Sequence, residues 1–167
     1  EELLVQPADP DNPARLDVGS ALMLDELKDF VLGDRFARTG FDYRLISRRM
    51  ANTFNSVGTD IDALTKRYGT NPAFIHPDDL ASEGLGRGDL IRLRSPHGEI
   101  EAVAWPDPHL RRGLVSMCHC WGGDPAEDGD VREQGVNTGL LISVEEDCAR
   151  FSGIPLMSAI PVQIARA

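Results

Sequence analysis

Apolar positions in this chain fall in short runs broken by glycine, proline and charge, a pattern that predicts strands rather than long helices. The strand candidates are Tyr43-Arg44-Leu45-Ile46-Ser47, Phe74-Ile75, Leu90-Ile91-Arg92-Leu93, Leu114-Val115-Ser116-Met117, Leu140-Leu141-Ile142-Ser143-Val144 and Ile160-Pro161-Val162-Gln163-Ile164. With the return arm of a hairpin they make about six or seven strands, the count of a small β-barrel or sandwich carrying helical insertions. The class expected is mainly β with short helices.

Helices and turns are marked by their punctuation. Ser20 can cap a helix with Leu24, Leu27, Val31 and Leu32 on one face, ending at Gly33. Thr59-x-x-Asp62 has the form of a capping box, with Ile61, Leu64 and Tyr68 as one stripe before Gly69. Pro77 suits a first helical position, and Asp78 and Asp79 fall in the first turn, where the helix dipole favours carboxylates. Gly84, Gly86 and Gly88 then turn the chain into the next strand. Ser95-Pro96-His97-Gly98 is a turn, and His97 at its tip reads as a turn residue. A two-residue loop there pairs Arg94 with Glu99, Leu93 with Ile100 and Arg92 with Glu101, whereas a glycine bulge shifts the register by one. Residues 1–18, with Pro7, Pro10 and Pro13, have no period and read as a tether; residues 124–135 are acidic and polar, as expected of a mobile surface loop. The division expected is residues 1–40 as tether and helix, and residues 41–167 as the β domain.

Composition narrows the partners. The 167 residues suit one β domain with a genuine core, and no apolar run approaches the length needed to span a bilayer. The chain opens Glu1-Glu2 without a methionine, so its natural start is expected to be missing and an export signal is not testable. A net charge of −10 argues against DNA or RNA as the main partner. Yet Arg35, Arg38, Arg44, Arg48 and Arg49 lie within one short stretch against Asp34 and Asp42, which suggests either a small anionic ligand or a solvated basic face. Cys118, Cys120 and Cys148 cannot all pair, and Cys118-His119-Cys120 lacks the second cluster a tetrahedral metal site needs. Reduced thiols and a cytoplasmic location are expected, with a periplasmic one left open by the missing start.

Several segments form an ordered series. They are Tyr43-Arg44-Leu45-Ile46-Ser47-Arg48-Arg49 with Phe54-Asn55-Ser56; Asn71-Pro72 with Ile75-His76-Pro77-Asp78-Asp79-Leu80-Ala81; Gly84-x-x-x-Gly88-Asp89; Gly113-Leu114-Val115; His119-Cys120-Trp121-Gly122; Gly135-Val136-Asn137; and Ser152-Gly153-x-Pro155. Over roughly residues 41–166 this series resembles the C-terminal molybdopterin-dinucleotide-binding domain of the molybdopterin oxidoreductases, the dimethyl-sulfoxide-reductase superfamily that includes formate dehydrogenases and nitrate reductases. The resemblance implies a double-psi β-barrel, of the aspartate-decarboxylase-like kind. It also implies a cofactor, bis(molybdopterin guanine dinucleotide) with molybdenum or tungsten, shared with absent catalytic domains that hold the metal's protein ligand. No catalytic or metal-ligating residue is expected in this chain.

Carried over position by position, the resemblance places Ser47, Arg48, Arg49, Asn55 and Ser56 near the nucleotide, since arginine forks and amide or hydroxyl groups suit phosphate and guanine. One of Arg48 and Arg49 is expected to be a spectator, because neighbouring strand residues face opposite ways. His119, Trp121 and Gly122 fall beside the pterin, and Asn137, assisted by Thr138, at its edge. Cys120 stands where the family commonly has glycine, and Met157-Ser158 where it often has an aromatic and a basic residue. Two alternatives use the same barrel: a protein-interaction adaptor without cofactor, and a self-cleaving decarboxylase, for which Gly19-Ser20 is the one available bond.

Overall fold

Alternation in the Tyr43 run is realised as β1 (Tyr43–Arg48), which turns Tyr43 and Leu45 into the core. In this computed structural model the described residues are 11, 19–32, 40–66, 68–123 and 129–167. They form two compact units, Glu1–Gly33 and Asp34–Ala167. In the first, α1 (Ala21–Leu32) starts as expected: the Ser20 hydroxyl accepts the Met23 N–H at 3.3 Å.

Six strands close the second unit into a barrel. After β1 come β2 (Ala73–Ile75), β3 (Leu90–Arg94), β4 (Glu99–Pro106), β5 (Leu114–Cys118) and β6 (Ile160–Arg166), in the spatial order β1-β5-β2-β4-β3-β6. Two pairs are parallel, β1 with β5 (Arg44 opposite Leu114) and β2 with β4 (Ala73 opposite Ala104); the other contacts are antiparallel. This is the double-psi β-barrel. Its interior is filled by Ile75, Ile91, Leu93, Val115, Met117, Leu141 and Val162, all fully buried. Closure leaves no edge strand to protect.

The hairpin takes the two-residue register, with Arg94 opposite Glu99 and Arg92 opposite Glu101, and Ser95 N–H bonds Gly98 O at 2.8 Å. Arg92 takes both glutamates, at 3.1 Å from Glu99 and 3.7 Å from Glu101. Arg94 instead donates to Gln163 Oε1.

Several expectations are corrected. Leu140–Val144 is not a strand: a 3-10 turn, Thr138–Leu141, drops Leu141 into the core, because a closed barrel offers the run no edge to pair with. Thr59 is not a cap; α2 (Asp62–Thr65) begins later, Thr59 Oγ1 donates to Ser56 O, and Tyr68 lies beyond the helix with its ring edge-on to Phe74 and Trp105. The helix at Pro77 forms as α3 (Pro77–Ser82), with His76 Nδ1 accepting the Asp78 N–H as an unforeseen cap. Asp79 falls in the first turn as expected, but its carboxylate has a further task. It is buried (3% exposed) and accepts from Arg112 Nε at 2.8 Å and Gly113 N at 2.7 Å, tying α3 to the start of β5. His97 is not merely a turn residue, since its ring bonds Asp147. The 124–135 loop contains α4 (Val131–Gln134), capped by Asp130, while residues 124–128 lie outside the described ones.

Asn71, 2% exposed, links three distant segments. Its Nδ2 donates to Cys118 O at 2.7 Å and to Val136 O at 2.9 Å, and its Oδ1 accepts the Val136 N–H at 2.9 Å. A Cβ on Gly135 would overlap that Oδ1. Removing the amide strands three backbone groups away from water, at about 1–3 kcal/mol for each unmade bond. Asn71→Ala is therefore expected to lower unfolding stability by about 2–4 kcal/mol, read as a lower urea midpoint with an unchanged slope. Asn71→Asp, which loses the donor, should fall with it.

Candidate functional site

Strand β1 divides the expected site residues by its alternation. Ser47 points to a cavity of about 280 Å³, walled also by His119, Cys120, Asn137, Thr138 and Met157. Arg48 points to a separate cavity of about 400 Å³ on the other face, walled by Tyr68, Phe74, Trp105, Asp107 and His109. The two share no residue.

Parallel pairing brings the ends of β1 and β5 together, Arg48 opposite Cys118, so the segments leaving both strands meet at one end of the barrel. After β1, Phe54 and Val57 exchange both backbone hydrogen bonds, which leaves Asn55 and Ser56 as the turn of a small hairpin. Asn55 adopts the left-handed φ of 55° that asparagine tolerates. Its Oδ1 accepts from Arg49 Nη1 and lies 3.1 Å from His119 Nε2, so Arg49, Asn55 and His119 form one string. Ser56 is exposed at the turn.

After β5 the chain turns sharply. Cys120 (φ 65°) and Gly122 (φ 81°) are both left-handed, and between them Trp121 is buried, 6% exposed. A Cβ on Gly122 would sit 2.6 Å from Asn137 N, so glycine is required for the backbone to pass Val136-Asn137 closely. Gly122 thus places Asn137. Asn137 Oδ1 accepts the Gly139 N–H at 2.9 Å, so what it can offer a ligand is its NH₂. The Trp121 indole faces the Cys118 thiol; burial pushes that thiol's pKa up, against smaller lowering contributions from the indole and the Met50 N–H.

Of the ten expected residues, the structure gathers Ser47, His119, Asn137 and Thr138 on one cavity, with Arg49 and Asn55 strung to His119. Trp121 and Gly122 do not line it; Trp121 is buried and Gly122 packs against the Val136-Asn137 backbone. Arg48 lines the larger cavity, and Arg49 lines it too. Arg48 Nη2 pairs with Asp107 at 2.5 Å and its guanidinium stacks 3.9 Å from the Phe74 ring centre. The arginine cluster is not one patch: Arg44 donates to the Phe41 and Tyr43 carbonyls, and Arg35 and Arg38 lie outside the described residues. Asn71, which sets the Val136-Asn137 backbone, was not among the expected site residues; its only signal was its place before Pro72.

In a chain with 27 acidic residues and a net charge of −10, no Asp or Glu among the described residues lines the smaller cavity. Ser47, His119, Asn137 and Thr138 place amide, hydroxyl and imidazole groups among Leu45, Met117, Ile142, Met157 and Ile160, a mostly apolar wall with a few neutral polar groups that suits a flat heterocycle with a polar edge. Among the described residues, no three His, Cys, Asp or Glu side chains come together as metal ligands.

Barrel and cavity define a ligand-binding double-psi β-barrel. The Molydopterin dinucleotide binding domain family matches residues 43–161. A trimethylamine-N-oxide reductase of Haemophilus influenzae is 33% identical over 58 residues, 33% of this chain and 7% of that protein. A dimethyl sulfoxide/trimethylamine N-oxide reductase of Rhodobacter capsulatus is 25% identical over 91 residues, 52% of this chain and 11% of that protein. The acetylene hydratase from Pelobacter acetylenicus shares the fold at a TM-score of 0.64 and 20% identity, over 85% of this chain and 20% of its own. The chain belongs to the molydopterin dinucleotide binding domain family, the cofactor-binding domain of molybdopterin oxidoreductases. It spans only a small fraction of the curated relatives, 7% and 11% of their lengths.

Asp107 shows how Arg48 is used. Burial alone raises its carboxyl pKa, but the Arg48 hydrogen bond, the His109 N–H and the Arg48 charge outweigh this and hold it below the ordinary value of 3.8. A depressed carboxyl contributes stability that is complete above its unfolded-state pKa and lost as pH falls through the folded one. Urea midpoints measured from pH 7 down into that acid range should fall less steeply for Asp107→Asn than for the unaltered chain.

Proposed function

We propose that this chain holds a bis(molybdopterin guanine dinucleotide) cofactor of molybdenum or tungsten for a larger oxidoreductase. The remaining catalytic domains would supply the metal's protein ligand and the substrate pocket. The observation that carries the reading is the cavity at the joined ends of β1 and β5, where Ser47, His119, Asn137 and Thr138 are set in an otherwise apolar wall with no acidic side chain among the described residues. Bound there, the cofactor supplies the redox chemistry, and the chain's own residues bind and orient it.

Ser47, His119, Asn137 and Thr138 would meet the pterin side, and Arg49, Asn55 and Ser56 the phosphate and nucleotide side. Gly122 and Trp121 shape the wall, while Arg48 supports β1 through Asp107. Residues 41–167 form the binding domain, and residues 1–40 its N-terminal tether and helix. Alone, the chain would be catalytically silent. Among the described residues no helix is long and apolar enough to cross a membrane. The three cysteines have no disulfide partners, which supports a cytoplasmic location.

GDP, the nucleotide end of the cofactor, is the direct probe. Isothermal titration should give saturable binding in the millimolar range or tighter, weakened about tenfold by Arg49→Ala through loss of one charge-assisted contact. Arg92→Ala, on the barrel ladder, should leave it unchanged, and so should Arg48→Met. Equal GDP affinity in the Arg49→Ala chain would overturn the placement of the nucleotide.

A further inference from the structure

The cavity wall that carries Asn137, Thr138, Gly139, Ile142 and Met157 belongs to a stretch, residues 135–159, whose regular structure is a 3-10 turn and one internal bridge, Cys148 with Pro155, with no strand paired to the barrel. A stretch without ladder hydrogen bonds keeps its place only through individual links. Asn71 fixes its start at Val136, and Ser47 Oγ donates to Met157 O at 3.3 Å near its end. Between these points it bulges outward, with Val144, Phe151 and Ile154 more than half exposed.

The outer part is tied back to the barrel by the tip of the β3–β4 hairpin. Ser95 Oγ donates to Leu141 O at 2.8 Å, and Gly98 lies so near Leu140 O that a Cβ would overlap it. His97 Nε2 lies 2.8 Å from Asp147 Oδ2, and Nδ1 is 3.9 Å from Glu146 Oε2. The His97 side chain is 13% exposed and that of Asp147 34%, so this bond is partly shielded from water. Asp147 has a left-handed φ of 53°, and its carbonyl accepts the Leu156 N–H at 3.0 Å. One residue therefore joins the hairpin tip to the segment that returns Met157 to the cavity.

We infer that His97 is a positioning residue. Through Asp147 it holds residues 138–157 against the barrel, and so sets the spacing between the Ser47–His119 wall and the Asn137–Thr138 wall. The meaning of that spacing rests on the cofactor-binding reading; the link itself does not. Glutamine carries an amide N–H that can reach Asp147 from position 97, and asparagine at 147 keeps both an acceptor and tolerance of the left-handed backbone.

Amide hydrogen exchange on the full 167-residue chain, paired with GDP titration, tests this. His97→Ala and Asp147→Ala should speed exchange over residues 139–147 and at Leu156 by about tenfold, the scale of one lost, partly shielded hydrogen bond. The amides of β1 and β5 should not change, and the apparent Kd for GDP should rise. His97→Gln and Asp147→Asn should restore both readouts. Unchanged exchange in His97→Ala overturns the inference. So does acceleration spread evenly over the barrel, or failure of His97→Gln to restore protection. If exchange quickens only in these segments while even the unaltered chain binds no GDP, the link stands and the cofactor reading fails.

Discussion

The carboxamide of Asn71 is the constraint on which the rest of this end of the barrel depends. It is buried, and it satisfies three backbone groups belonging to segments 47 and 65 residues away. Those groups need it because β5 ends at Cys118 and Val136 lies outside any strand, so the regular ladder does not continue between them. Only an amide combines the required donor and acceptor in one small side chain. Holding Cys118 O aims the His119–Trp121 turn, and holding Val136 at both backbone groups aims Asn137. Both walls of the cavity are thus keyed to one side chain. The close approach that results explains two glycines, Gly122 against Asn137 N and Gly135 against the Asn71 amide.

A second organising feature is the separation of charge from the cavity. The acidic residues of the described barrel are used as connectors: Asp79 holds Arg112 and Gly113, Asp107 holds Arg48, Asp89 meets Arg166, and Glu83 accepts from Tyr43. The last of these raises the Tyr43 phenol well above its ordinary pKa, burial first and the glutamate second. Arginines that looked like one basic stretch serve different faces, because successive strand residues alternate and backbone carbonyls claim Arg44. The smaller cavity keeps a few neutral polar groups in an apolar wall, and Arg49, which lines the larger cavity, reaches His119 through Asn55. That is the chemistry a long anionic cofactor requires of its domain.

Most local rules held, although the capping box read at Thr59 did not form. The hairpin register comes from a two-residue loop, Pro77 opens a helix, and Ser20 caps another. The other failures share a cause. Leu140–Val144 has the apolar content of a strand, but whether an apolar run pairs or plugs depends on whether an edge is free, and closure had used every edge. Asp78 and Asp79 look equivalent in sequence, yet one is exposed and the other is buried against Arg112. His97 sits in a turn sequence, and nothing within that turn announces Asp147.

The sequence by itself determined the class: short alternating runs, their turns, and an ordered series of motifs sufficient to place the chain among the molybdopterin-dinucleotide-binding barrels. Those signals are periodicities and nearest-neighbour preferences, which survive without knowledge of the fold. Only the tertiary structure decided which residues share a cavity. Ser47, His119 and Asn137 meet, while Arg48 turns away, because strand parity and barrel closure assign each side chain a face. Asn71 and His97 acquired their tasks from partners dozens of residues distant, and hydrogen bonds at that range leave no local trace in the chain.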